Sequence, residues 1–222
     1  MLLEAKDIYK KYRRNQVLRG ASFAAQAGCC VGLLGGNGSG KSTLLSILAG
    51  VLNCDGGQFL CEGNDLLKDE KAHRSLVGYV PQGTPLMGEL SAWDNLLLWY
   101  DKAHLERELD CGVLNMLGIG EFIRTRVNRM SGGMKKRLSI GCAVARDPRV
   151  LLLDEASAAL DLECKEKILS YFYNHKQRGG VIIMATHDVQ ELALCESCYV
   201  LKNGVLTPYD YDGNVRRLVE NL

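Results

Sequence analysis

Three registers of hydrophobic and polar positions divide the chain. Residues 1–28 alternate (Leu3, Ala5, Asp7, Tyr9, then Val17, Arg19, Ala21, Phe23) about Arg13-Arg14-Asn15-Gln16. A period of two belongs to a half-buried strand, so this stretch reads as an antiparallel hairpin with the arginines in its turn. Unbroken apolar runs come next, at residues 30–34, 150–153 and 181–185. With no polar face, such runs read as strands covered on both sides, as in a parallel sheet. Residues 57–61, turned by Glu62-Gly63-Asn64-Asp65, and residues 77–80 read as further strands. Pro81 ends the latter because it has no N–H to continue a central ladder. Residues 199–201 and 205–207 flank Lys202-Asn203-Gly204, a hairpin signal.

Between residues 84 and 147 the period changes. Leu90, Trp93, Leu96, Leu97 and Tyr100, then Leu109, Val113, Leu114 and Leu117, recur at the spacing of one helix face, which makes this stretch a helical insertion punctuated by Gly118 and Gly120. Trp93 and Trp99 read as apolar anchors within it, and Arg124, Arg126 and Arg129 as a solvated helix face. Other helices are expected over residues 44–49, closed by Gly50, over 68–75, from the turn at 157–161 to about His175, and as one short helix after Asp212. His73, His104 and His175 are placed on polar helical faces.

The totals narrow the function. A chain of 222 residues buries one large core, alone or with an inserted subdomain. Its net charge of +1 gives no bulk electrostatic case for nucleic acid or an anionic membrane. No run of about eighteen apolar residues is present to cross a bilayer, and the charged start Met1-Leu2-Leu3-Glu4-Ala5-Lys6-Asp7 is no secretory signal. A cytosolic protein is expected. Nine cysteines, scattered through apolar stretches, read as reduced core residues with no disulfide framework. Cys195 and Cys198 have the spacing of a metal pair but neither a second pair nor a companion histidine, so packing at a helix end accounts for them.

The candidate chemistry starts at Gly35-Gly36-Asn37-Gly38-Ser39-Gly40-Lys41-Ser42-Thr43, which fits the phosphate-loop pattern and lies between an apolar strand and a helix. Gly35, Gly38 and Gly40 let backbone N–H groups converge on a polyphosphate, and the helix adds the positive end of its dipole. Lys41 would reach the β- and γ-phosphates, Ser42 would ligate Mg²⁺, and Thr43 would contact the α-phosphate. Asp154 and Glu155 stand where a buried parallel strand delivers acids to its carboxyl end. Asp154 suits Mg²⁺ through its water shell, and Glu155 suits the attacking water. His187, also just past a strand, suits a γ-phosphate oxygen. For Tyr12, at the turn end of the first hairpin, two readings stand open: a platform for adenine, or a half-buried strand tyrosine. Met130-Ser131-Gly132-Gly133-Met134 opens a helix with Ser131 as N-cap, which is either a second anion site or capping alone.

In order and spacing, the phosphate loop, the Gln82 of Tyr79-Val80-Pro81-Gln82, the Ser131-Gly132-Gly133 signature, the acidic strand, the Ser157-to-Asp161 turn and His187 resemble the nucleotide-binding domain of ATP-binding cassette (ABC) ATPases. The likeness runs from Tyr12 to the hairpin after His187. It implies a P-loop NTPase α/β fold with a mainly parallel sheet, an N-terminal antiparallel β subdomain and an inserted α-helical subdomain. The divisions would be residues 1–83 with 148–222 for the core and 84–147 for the helices. It also implies a head-to-tail dimer, identical or not, around two ATP molecules with Mg²⁺. Each ATP would be held by the phosphate loop of one subunit and by Ser131, Gly132 and Gly133 of the other. Asp161 would link the two sites, and Gln82 would sense Mg²⁺ and the attacking water.

Met134 stands where the family has glutamine, Ala156 where it has proline, and Ala159 where it has glycine, which stiffens the turn at the interface. None of these removes a catalytic group. The run 133–138 resembles exporter ATPases whose permease is a separate polypeptide. That would place the chain at the inner face of the cell membrane through integral membrane permease subunits, docked in a groove near Gln82 and Leu86, Met87 or Trp93. The competing reading, a soluble ABC ATPase of DNA repair or translation, lacks its usual coiled coil or tandem cassette here, and a regulator without turnover would not need Glu155.

Overall fold

The computed structural model describes residues 2–158 and 160–214. The first hairpin forms from β1 (Leu2–Tyr12) and β2 (Asn15–Gln26), so its turn is the pair Arg13-Arg14, with Arg13 at φ 52°. Strands β3 (Cys30–Leu34), β4 (Gly56–Cys61), β5 (Asn64–Asp65) and β6 (Val77–Val80) follow, with α1 (Lys41–Leu48) after β3 and α2 (Glu70–Leu76) before β6. Residues 84–147 hold α3 (Ala92–Leu96), α4 (Lys102–Cys111), α5 (Val113–Met116), two 3₁₀ turns and α6 (Gly132–Ala143). The chain then forms β7 (Val150–Asp154), α7 (Leu162–Gln177), β8 (Val181–Ala185), α8 (Val189–Leu192), β9 (Ser197–Lys202) and β10 (Val205–Tyr209). The helix expected after Asp212 and the turn position Ala159 lie outside the described residues.

Two sheets result. One is antiparallel, in the order β2-β1-β4-β5, and the other runs β10-β9-β3-β8-β7-β6, parallel throughout except for β10. The apolar runs are buried on both faces because alternate residues feed different cores. Leu151, Leu153, Ile182 and Met184 pack with the helices of residues 92–143 and with α7. Val150, Leu152, Val181 and Ile183 pack with α1 and the antiparallel sheet. Burying each such side chain contributes about 1.5–3 kcal/mol.

Polar side chains set the helix starts. Asp69, Asp101, Ser131 and Asp161 each accept a backbone N–H of the first turn, and Ser91 forms a capping box with Asp94. The last hairpin turns through Asn203 and Gly204, both at positive φ, as a two-residue turn demands.

Several expectations need correction. Strand β6 is an edge strand, so Pro81 interrupts no central ladder. Trp93 does pack against the helical core, but Trp99 is 51% exposed and anchors nothing. Arg124, Arg126 and Arg129 are exposed as expected, yet they lie on a turn, an isolated β-bridge to Ser91 and a 3₁₀ segment and not on a helix face, with Arg124 over the Trp93 ring. His73 and His175 are buried: His73 Nε2 donates to the Leu48 carbonyl at 2.8 Å, and the His175 ring fills the space over Gly180. Cys195 does close the turn after α8, its Sγ 3.3 Å from that of Cys30.

Gly78 marks a close approach between the parallel sheet and the end of α6. A Cβ there would stand 2.5 Å from the Ala143 carbonyl oxygen and 2.7 Å from Pro148 Cγ. Gly78→Ala is therefore expected to destabilise the fold by about 1–3 kcal/mol, or roughly 2–4 °C in Tm per kcal/mol. An unchanged Tm in thermal unfolding would contradict this packing.

Candidate active site

The parallel register brings three strand ends level. Leu33 of β3 and Asp154 of β7 both pair with Ala185 of β8, so the residues that follow (the glycine loop, Glu155 and Thr186-His187) emerge side by side. In the loop Gly35, Gly38 and Gly40 have φ of 153°, 77° and 109°, the left-handed region that side chains disfavour. A Cβ on Gly35 would meet Ser39 Oγ at 2.6 Å and the Leu201 carbonyl oxygen at 2.7 Å.

Lys41 is buried at the start of α1. Its Nζ donates to the carbonyls of Gly35 at 2.5 Å and Gly36 at 3.2 Å. Burial holds its pKa below the ordinary lysine value, while the charges of Glu155 and Asp154 work in the opposite direction. A cleft of about 430 Å³ opens here, lined by residues 37–43 together with Val17, Gln82, Asp154 and Glu155.

Asp154 is buried, and that burial raises its pKa against the lowering effect of a hydrogen bond with the Ser42 hydroxyl. A hydroxyl and a carboxylate in contact form a hard oxygen pair, which fits Mg²⁺. Glu155 sits at φ 50°, its N–H donating to the Ala185 carbonyl at 2.9 Å. Gln82 Nε2 donates to Glu155 Oε2 at 3.0 Å, which joins the end of β6 to the end of β7. Partial loss of solvation and the Lys41 charge depress the His187 pKa, and Glu155 pulls it the other way.

Sequence reasoning missed Lys136. It is buried, and its Nζ donates to the carbonyls of Pro81 at 3.1 Å and Gln82 at 3.2 Å, tying α6 to the Gln82 segment. The available signal was its position four residues before Ile140, on the inward face of α6. Ser131, Gly132 and Gly133 begin α6 outside the lining of this cleft, with Ser131 accepting from Met134 N–H at 3.2 Å. Tyr12 is also outside the lining; it ends strand β1 at 46% exposure, with the Lys10 ammonium 5.5 Å from its ring centre. Val17 is the hairpin residue that lines the cleft.

Burial is the first cause of the depressed pKa at both His175 and His187, whose ordinary value is 6.5. Each therefore binds its proton less readily folded than unfolded. Their contribution to stability is full above pH 6.5 and declines as pH falls from there towards the folded pKa values. Proton NMR titration should show both imidazoles with midpoints below 6.5, and a midpoint at or above that value for either would contradict the burial argument.

A family model described as ABC transporter matches residues 18–158. The lipopolysaccharide export system ATP-binding protein of Acidithiobacillus ferridurans is 33% identical over 214 residues, covering 93% of this chain and 89% of that one. The linearmycin resistance ATP-binding protein of Bacillus subtilis strain 168 is 31% identical over 208 residues, covering 91% of this chain and 67% of that one. Among solved structures, an ATP-binding subunit of an ABC transporter gives a TM-score of 0.84 at 26% identity, covering 99% of this chain and 94% of that one. A dimeric, post-hydrolysis ATP-binding cassette bound to ADP and Pi gives 0.83 at 26% identity, covering 94% and 98%. Family and fold agree with the glycine loop and acidic strand ends described above, and the chain belongs to the ABC transporter family as one of its ATP-binding, ATP-hydrolysing subunits.

Proposed function

We propose that this subunit powers export through separate integral membrane permease subunits, and that it does so as a head-to-tail dimer around two ATP molecules. Export is supported by the relatives' names, which include a lipopolysaccharide export system protein and a Nod factor export protein of Burkholderia pseudomallei. Dimerisation is supported by the dimeric cassette of similar fold. No helix among the described residues is long and apolar enough to cross a membrane. Residues 84–147 act as a helical signature subdomain on a core of residues 1–83 and 148–222, with the chain held at the inner membrane face through the permease. No nucleic-acid role is proposed.

The observation that carries the reading is the convergence of Lys41, Asp154, Glu155 and Gln82 on one cleft. Backbone N–H groups of Gly35, Asn37, Gly38, Ser39 and Gly40 hold the polyphosphate, with Lys41 on its β- and γ-groups and Thr43 on the α-group. Tyr12 offers its exposed ring to adenine. Mg²⁺, when bound, would neutralise charge on the phosphate oxygens, held by Ser42 directly, by Asp154 through water, and sensed by Gln82. Glu155 orients the water and takes its proton as the oxygen bonds to the γ-phosphorus and the bond to the bridging oxygen breaks. His187, neutral at pH 7, donates to a γ-oxygen. Ser131, Gly132 and Gly133 of a second subunit close the site from the other side, with Asp161 at the junction.

Glu155→Gln keeps the shape and removes the base. It is expected to abolish phosphate release while retaining ATP binding and favouring ATP-dependent dimers in size-exclusion chromatography. Turnover at the parent rate would remove Glu155 from the mechanism.

A further inference from the structure

Behind the cleft lies a buried carboxyl that the mechanism above does not use. Glu191, 2% exposed on α8, accepts a hydrogen bond at Oε2 from the Thr186 hydroxyl, and Thr186 immediately precedes His187. The Ser157 hydroxyl also acts on this carboxyl and favours its charged form. Ser157 begins the turn between Glu155 and Asp161. The other oxygen, Oε1, is buried without a well-formed hydrogen bond. Buried polar atoms almost always have a partner, and an orphan costs stability, so a site that retains one needs a reason.

The surroundings supply it. The segment carrying His187 and the segment carrying Asp161 are strapped together twice more, by Lys165 Nζ on Asp188 Oδ2 at 2.5 Å and by Gln190 Nε2 on Glu166 Oε1 at 3.2 Å. The Asp188 carboxylate in turn caps α8 by accepting from Gln190 N–H at 2.9 Å, and Asp188 N–H donates to Thr186 Oγ1 at 3.0 Å. Glu191 is the innermost of these links, and the one that reaches both segments next to the reacting groups.

We infer that Glu191 is a positioning residue for hydrolysis, coupling the His187 segment to the Ser157–Asp161 turn so that both reach their working geometry together. The inference rests on the proposed roles of Glu155, His187 and Asp161. Thr186 fills Oε2, and the Ser157 hydroxyl acts on the same carboxyl from the turn side. A carboxyl is suited to the task because it offers two acceptor oxygens to two hydroxyl donors.

A set of variants tests it, read by phosphate release, nucleotide affinity and Tm. Glu191→Leu fills the volume without an acceptor. It should lower kcat tenfold or more while ATP affinity stays within twofold and Tm does not fall. Glu191→Gln, which still accepts from Thr186, should recover most of kcat. Adding Ser157→Ala to Glu191→Leu should cost little further, because the two act through one contact. Parent-like kcat in Glu191→Leu overturns the inference, as does a kcat loss matched by lost affinity or lowered Tm. If Glu191→Leu does not fold, Thr186→Val, Ser157→Ala and their double variant decide, and additive losses overturn the coupling. A Glu155→Gln control separates the two levels. Its parent-rate turnover would defeat the catalytic reading, whereas an inactive Glu155→Gln beside a fully active Glu191→Leu defeats only the role of Glu191.

Discussion

The buried ammonium of Lys41 is the constraint around which the rest is arranged. Removing such a charge from water is costly unless nearby groups compensate it. Here the compensation is two loop carbonyls together with the charges of Asp154 and Glu155. Those groups can be close only because β3, β8 and β7 are parallel neighbours in level register, and the loop can bend back over its own lysine only because Gly35, Gly38 and Gly40 accept positive φ. A polyanion entering the cleft would meet a cation already held in place, with less ordering entropy left to lose.

The same economy extends outward from the cleft. Gln82 belongs to the end of an edge strand, which leaves the chain after Pro81 free to turn towards Glu155, and Lys136 reaches across from α6 to fix that turn by its carbonyls. The helical stretch is thus joined to the catalytic strand ends by a buried hydrogen-bonded cation as well as by the shared apolar core. On the far side Asp188, Lys165 and Glu191 join the histidine segment to the turn that leads into α7. What this subunit does not supply to its own cleft is the serine-capped start of α6, and that omission is the physical content of the dimer proposal.

Much of this was legible in the sequence because its signals are local. Unbroken apolar runs at residues 150–153 and 181–185 gave strands, and Ser131 and Asp161 gave helix starts, since a cap depends only on the next three residues. The glycine loop and its acids were legible for the same reason. Long-range facts were not. Nothing near Pro81 says that β6 is an edge strand, and nothing near His73 says that its ring meets the Leu48 carbonyl. Trp99 carries the same apolar signal as Trp93 but faces solvent, because α3 ends at Leu96 and Trp99 falls in the turn beyond it. Lys136 and Glu191 look like ordinary charges on helices, and only tertiary packing turns them inward.

The account's central claim is that one chain carries only half of each hydrolytic centre. Complementation between two crippled subunits tests it most directly. Lys41→Ala and Ser131→Arg should each be inactive alone. When equal amounts are mixed with ATP and Mg²⁺, mixed dimers contain one centre with an intact Lys41 from one chain and an intact Ser131 from the other, so phosphate release should reappear. A mixture as inactive as its components, or a Ser131→Arg protein that hydrolyses ATP at the parent rate by itself, would contradict the claim.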